Sequence, residues 1–92
     1  MKKIIWTSKF KKDYKLAAKR HMPMHLLHNI IQKLVNNETL PIENRDHPLS
    51  NNWKGYRECH ITPDWLLIYK HENDKLVLTL ARTGSHSDLF KL

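Results

Sequence analysis

The chain has 92 residues, sixteen Lys and Arg against nine Asp and Glu, and a formal charge of +7 with its seven histidines neutral. That length makes one domain with a modest core, burying roughly 60–65% of the unfolded surface. The single Cys59 excludes an internal disulfide, a multi-cysteine zinc site and an iron–sulfur cluster. The longest apolar run, Trp65 to Tyr69, is far short of the about 20 residues of a spanning helix, so no membrane association is expected. Met1 to Trp6 lacks the apolar stretch and small-residue cleavage site of a secretory signal, which leads us to expect a cytoplasmic protein. The positive charge points to anionic partners such as nucleic acid without specifying any chemistry.

Ile4 to Trp6 reads as a short first strand, after which Thr7 or Ser8 can cap a helix. From Lys9 to Arg20 the period is helical, with Phe10, Tyr14, Ala17 and Ala18 on one face. Lys9, Lys11, Lys12, Lys15 and Lys19 occupy the other. Eight of the sixteen basic residues fall in the first twenty positions, against one acid, Asp13. Pro23 suits the first turn of a second helix, whose apolar positions are Leu26, Leu27, Ile30, Ile31, Leu34 and Val35. It ends near Asn36-Asn37. The short connection predicts an antiparallel helical hairpin.

A polar loop, Glu43 to Asn52, leads into three strand-like runs: Trp53 to His60, Trp65 to Lys70 and Leu76 to Arg82. Thr62-Pro63-Asp64 and His71-Glu72-Asn73-Asp74 carry turn chemistry. Short connections make these an antiparallel meander. The sum is β-α-α-β-β-β, an α+β domain with a helical hairpin on a small, mainly antiparallel sheet.

His47, His60, Asp64, Arg82 and His86 each fall at an expected strand end or in the adjoining loop, where side chains reach solvent without disturbing a core. Their convergence suits acid–base work on a phosphodiester. Cleaving RNA needs no metal when the 2′-hydroxyl is the nucleophile. It needs a base for that proton, an acid for the departing 5′-oxygen, and a cation for the phosphorane. Histidine serves in either proton role, and arginine offers phosphate a planar charged fork. Trp65 and Phe90 are either stacking surfaces for an unpaired base or core residues. Arg82 has a structural alternative, pairing with Asp88 or Asp64, and Asp64 another, favouring its turn. His21, His25 and His28 have helical spacing, but His21 precedes Pro23 and no carboxylate sits at a matching position. No metal and no cofactor are therefore expected. Cys59 reads as a small semi-buried strand residue.

Four ordered blocks carry a resemblance: Asp46-His47-Pro48-Leu49, Trp53-Lys54-Gly55-Tyr56-Arg57-Glu58-Cys59-His60, Pro63-Asp64-Trp65-Leu66-Leu67-Ile68-Tyr69, and Arg82-Thr83-Gly84-Ser85-His86-Ser87-Asp88-Leu89-Phe90. Together they strongly resemble the YafQ type of toxin in the RelE/ParE superfamily of bacterial toxin–antitoxin modules. The resemblance spans essentially the whole chain and implies a RelE-like fold. It implies a metal-independent endoribonuclease, an mRNA interferase, that cuts messenger RNA in the ribosomal A site. It also implies a cognate acidic antitoxin, with operator DNA bound only through that antitoxin.

The family's functional positions carry over to His47, His60, Asp64, Arg82, His86 and Phe90, with Trp65 added as the neighbour of Asp64. The resemblance gives His86 the role of general acid, Asp64 or His60 that of base, and Arg82 that of stabilising the phosphorane. His47 would contact phosphate or assist proton transfer, and Phe90 would hold a base or the backbone beside the cut. Lys9, Lys11, Lys12, Lys15 and Lys19, with Arg20, are expected to meet ribosomal RNA phosphates, or their helix to receive the antitoxin. Related sequences usually have a glycine where this chain has Leu49-Ser50-Asn51-Asn52-Trp53; Asn is the residue that best tolerates a left-handed backbone after Gly. Two other functions are compatible with the basic charge and fold: a non-catalytic nucleic-acid-binding module, and a ParE-like gyrase poison. The histidine set favours the nuclease.

Overall fold

The computed structural model describes residues 2–90. Strand β1 (Lys3–Trp6) leads through Thr7 into helix α1 (Ser8–Lys19). The Thr7 hydroxyl accepts from the Phe10 N–H at 3.1 Å, capping the helix, and lies 3.1 and 3.0 Å from the carbonyls of Leu80 and Ala81. One side chain thus both starts α1 and fastens it to the sheet. His21, in the left-handed conformation at φ 59°, turns the chain into α2 (Met24–Val35), with Pro23 as its N-cap. The helices touch through Tyr14, whose hydroxyl is 2.8 Å from His28 Nε2.

The stretch expected to be a polar loop is more ordered than its composition indicates. A 3₁₀ turn (Ile42–Asn44) is followed by a two-residue strand, β2 (His47–Pro48), and a second 3₁₀ turn (Asn51–Trp53). Asn51 takes φ 57°, the left-handed position that a glycine would otherwise fill. Because of that turn and Gly55 at φ 93°, the next strand, β3 (Arg57–Thr62), begins four residues later than the apolar pattern predicts. Strands β4 (Trp65–Glu72) and β5 (Val77–Gly84) complete the meander, and a short helix, α3 (His86–Leu89), follows.

The sheet order is β1-β5-β4-β3-β2; β1 runs parallel to β5 and every other pair is antiparallel. One face packs on the helices, where Phe10, Leu27, Ile30 and Leu34 meet Cys59, Trp65, Leu67, Tyr69, Leu78 and Leu80. The other face carries a smaller cluster of Leu66, Ile68, Ala81 and Leu89, flanked by Leu49, Trp53, Tyr56 and Phe90. This explains the unbroken apolar run from Trp65 to Tyr69: β4 is central and covered on both faces, so alternation disappears. Cys59 is fully buried, and burial, then the charges of Asp46 and Glu58, push its thiol far above the ordinary range. A protonated, inaccessible thiol has no nucleophilic role.

Helix α3 was not anticipated, although Ser85-His86-Ser87-Asp88 is a capping-box sequence. The Ser85 hydroxyl accepts from the Asp88 N–H and the Asp88 carboxylate accepts from the Ser85 N–H, both at 3.1 Å. Gly84 permits the fold-back. A Cβ there would lie 3.1 Å from Asp88 Cβ and 3.3 Å from Leu89 Cδ2.

Candidate active site

Alternation along β3 puts Cys59 and Ile61 into the helical core and turns Glu58 and His60 to the opposite face. Register then brings His47 of β2 directly across from Glu58. The Glu58 side chain is almost wholly buried, and its Oε1 lies 3.5 Å from His47 Nε2 and 3.6 Å from His60 Nε2. The far nitrogens are also engaged. His47 Nδ1 is 2.6 Å from the Arg45 carbonyl and His60 Nδ1 is 3.2 Å from that of Pro63. A carbonyl only accepts, so both rings carry a proton on Nδ1 and present Nε2 to the same carboxylate oxygen.

His86, exposed on the first turn of α3, extends this row. Its ring centroid is 6.1 Å from that of His60 and 5.6 Å from that of Phe90. The order along the surface is Phe90, His86, His60, Glu58, His47. A brace on the helical side holds the His47 end: Asp46 Oδ1 accepts from the Tyr69 hydroxyl at 2.6 Å and from Arg57 Nε at 3.2 Å. Burial, then the Asp46 hydrogen bond, hold that hydroxyl protonated.

Arg82 and Asp64 belong to a second feature. A cleft of about 440 Å³ opens between α1 and the ends of β4 and β5; Asp64, Arg82, Asp13, Arg20 and Asp88 line it, and the three histidine rings lie outside it. Arg82 pairs with neither Asp88 nor Asp64, the partners anticipated from the sequence. Its Nε donates to Asp13 Oδ2 at 2.7 Å and its Nη2 to Oδ1 at 3.0 Å. That hydrogen bond raises the arginine's affinity for its proton further, against partial burial. Asp88 is pulled below the usual carboxylate value, chiefly by the Ser85 backbone N–H, and meets Arg20 at 3.5 Å.

The stacking role anticipated for Trp65 fails on burial. Its side chain is 1% exposed and belongs to the helical-face core, with an indole N–H that meets no acceptor. Phe90, half-buried beside His86, keeps an aromatic position in the row. Lys9, Lys11, Lys12, Lys15 and Lys19 are all exposed along α1. Sequence reasoning passed over two residues. Glu58 sits two positions before His60 on one strand, a spacing that puts both on one face. Asp13 was the only acid in a basic segment, which is itself unusual for a purely solvated helix face. Among the described residues no three His, Cys, Asp or Glu side chains form a metal-holding group.

The sequence model described as the bacterial toxin of type II toxin–antitoxin systems, YafQ, matches residues 2–91. The chain belongs to the YafQ family. A curated relative, the mRNA interferase toxin YafQ of Escherichia coli BL21-DE3, is 50% identical over 95% of this chain and 94% of its own length. YafQ in a crystal structure of the Escherichia coli DinJ–YafQ complex superposes with a TM-score of 0.88 at 47% identity, covering 98% of this chain and 99% of that one. A metal-bound toxin from Helicobacter pylori superposes with a TM-score of 0.90 at 39% identity, covering 98% of this chain and all of that one. The α+β architecture read from the sequence is thus the YafQ fold, with β2 and α3 as the elements that composition concealed.

Proposed function

We propose that this YafQ-family toxin cleaves messenger RNA in the ribosomal A site by metal-independent acid–base catalysis on the histidine row. Its class is mRNA interferase, an endoribonuclease, and its setting is a type II toxin–antitoxin module. The observation that carries the mechanism is the placement of His60 and His86 side by side, ring centroids 6.1 Å apart. His60 removes the 2′-hydroxyl proton. The 2′-oxygen attacks phosphorus and the P–O5′ bond breaks, leaving a 2′,3′-cyclic phosphate. His86 delivers a proton to the 5′-oxygen. Each proton transfer is worth roughly 10²–10⁴-fold.

Glu58 serves the row by facing both Nε2 atoms, so that a proton gained by His60 or His47 meets a carboxylate. His47 contacts the phosphate, and Phe90 holds a base beside the cut. Asp64 shapes the entrance to the cleft. Arg82 has three N–H donors beyond the two that Asp13 takes, and these stabilise the phosphorane. The α1 lysines bind ribosomal RNA phosphates, contacts that weaken with salt. An acidic antitoxin neutralises the toxin, as DinJ partners YafQ in the related complex, and operator DNA is reached only through that partner. The site of action is the cytoplasm; no described helix is long and apolar enough to cross a membrane.

The test is transcriptome-wide mapping of new RNA 5′ ends after brief induction, wild type beside His86→Ala. Ends inside translated frames at a fixed codon phase, absent with the variant, are expected. Growth arrest without new ends would sink the nuclease reading in favour of gyrase poisoning or simple binding.

A further inference from the structure

The only acid among the first twenty residues does not face solvent with the lysines around it. Asp13 lies on the inner side of α1, its side chain 14% exposed, and makes three contacts with one short segment of β5. Oδ2 accepts from Arg82 Nε at 2.7 Å and from the Thr83 backbone N–H at 3.2 Å, while Oδ1 accepts from Arg82 Nη2 at 3.0 Å. The partners are 69 and 70 residues away in sequence, so this is a tertiary clasp between the first helix and the last strand. A bidentate carboxylate fixes both the position and the plane of a guanidinium, which a single contact does not.

We infer that Asp13 is the positioning residue for Arg82: it holds the guanidinium so that its free N–H groups point at the reacting phosphate. The inference rests on the reading above, in which Arg82 stabilises the phosphorane. Preorganised donors avoid reorienting as charge develops, and a misplacement of about 1 Å can cost about a hundredfold. The clasp also ties the lysine-bearing helix to the strand that leads into His86. Seating α1 on RNA therefore seats the arginine with it. Thr83 N–H takes the same carboxylate oxygen as Arg82 Nε, so strand and side chain are fixed together.

A double-mutant cycle tests this. Single-turnover cleavage on mRNA-programmed ribosomes is compared for wild type, Asp13→Ala, Asp13→Asn, Arg82→Ala and Asp13→Ala/Arg82→Ala, with thermal unfolding of each. Asp13→Ala is expected to slow cleavage about tenfold to a hundredfold at saturating ribosomes. It should cost nothing further once Arg82 is gone. Asp13→Asn, which keeps the shape and one acceptor, should retain an intermediate rate, and this variant carries the test if Asp13→Ala fails to fold. Full loss in Arg82→Ala with wild-type rates in both Asp13 variants would overturn the positioning role while leaving Arg82 in the mechanism. So would additive losses in the double variant. Wild-type cleavage by Arg82→Ala would instead remove Arg82 from the chemistry, and Asp13 with it.

Discussion

The histidine row and the arginine cleft are built on opposite plans. In the row, the groups proposed to change protonation are held from behind: two Nδ1 atoms rest on carbonyls, and the Nε2 atoms face one shared carboxylate at 3.5 and 3.6 Å. His86 stands exposed on a helix of four residues. In the cleft, the group that never changes charge is gripped along its Nε–Nη2 edge by Asp13 at 2.7 and 3.0 Å. Proton carriers keep their working nitrogen adjustable, whereas a permanent cation gains from being fixed in one orientation.

Removing the shared charge strikes the row hardest. Glu58→Gln keeps the side chain's shape but withdraws the anion facing both histidines. Single-turnover cleavage should fall about a hundredfold, with Arg82 chemistry untouched as judged by an unchanged double-mutant cycle at Asp13. Wild-type rates would reduce Glu58 to a structural residue. Gly84→Ala is the next sharpest probe. Its Cβ would press on Asp88 and Leu89 at 3.1 and 3.3 Å, moving α3 and with it His86 and Phe90. Cleavage should drop about tenfold while the Asp13–Arg82 pair persists; a displaced pair seen by crystallography would show that the two regions are not separable.

A smaller effect belongs to the loop behind His47. Asn51→Ala keeps a side chain in a left-handed position without the amide that tolerates it, and should destabilise the fold by about 1 kcal/mol in denaturant titration. Asn51→Gly should be neutral or better.

The smallest effect lies in a histidine outside both regions. Burial, then Lys2 and Lys75, hold His71 below its ordinary value of 6.5. The unfolded chain therefore binds more protons there, so the stability this site contributes is complete above about pH 6.5 and is lost as pH falls through the folded value. His71→Gln should flatten the stability–pH curve on the acid side of that point. An unchanged slope would remove His71 from the acid sensitivity of the fold.

How much of this was legible beforehand divides along physical lines. Phe10, Tyr14 and Ala17 announce α1 because helical periodicity is local, and Trp65 to Tyr69 announces a strand because the run is short and ends at turn residues. The candidate set was readable as a set of chemistries, and the structure lines up His47, His60, His86 and Phe90 along one row. Which acid each basic group would meet was not readable. Arg82 finds Asp13 across 69 residues, a pairing set by how α1 docks on the sheet rather than by any spacing. Trp65 stayed open between stacking surface and core because a large aromatic beside a charged strand-end residue looks the same in sequence whether it faces inward or outward; burial decides for the core. Glu58 and Ser85-x-x-Asp88 were there to be read; the first needed strand alternation applied to a charged residue, the second a capping signature at the end of a strand.

The parallel pairing of β1 with β5 has a consequence for synthesis. Lys3 to Trp6 bond to Val77 to Leu80, so the first strand made has no partner until the last one exists. Such long-range closure is slow compared with helix or hairpin formation. Helices α1 and α2 can form early, but the sheet edge, the Arg82 clasp and α3 all wait for the same final segment. A chain still being translated therefore lacks the β1–β5 edge, the Asp13–Arg82 clasp and α3 together, and gains all three only when its final segment is made.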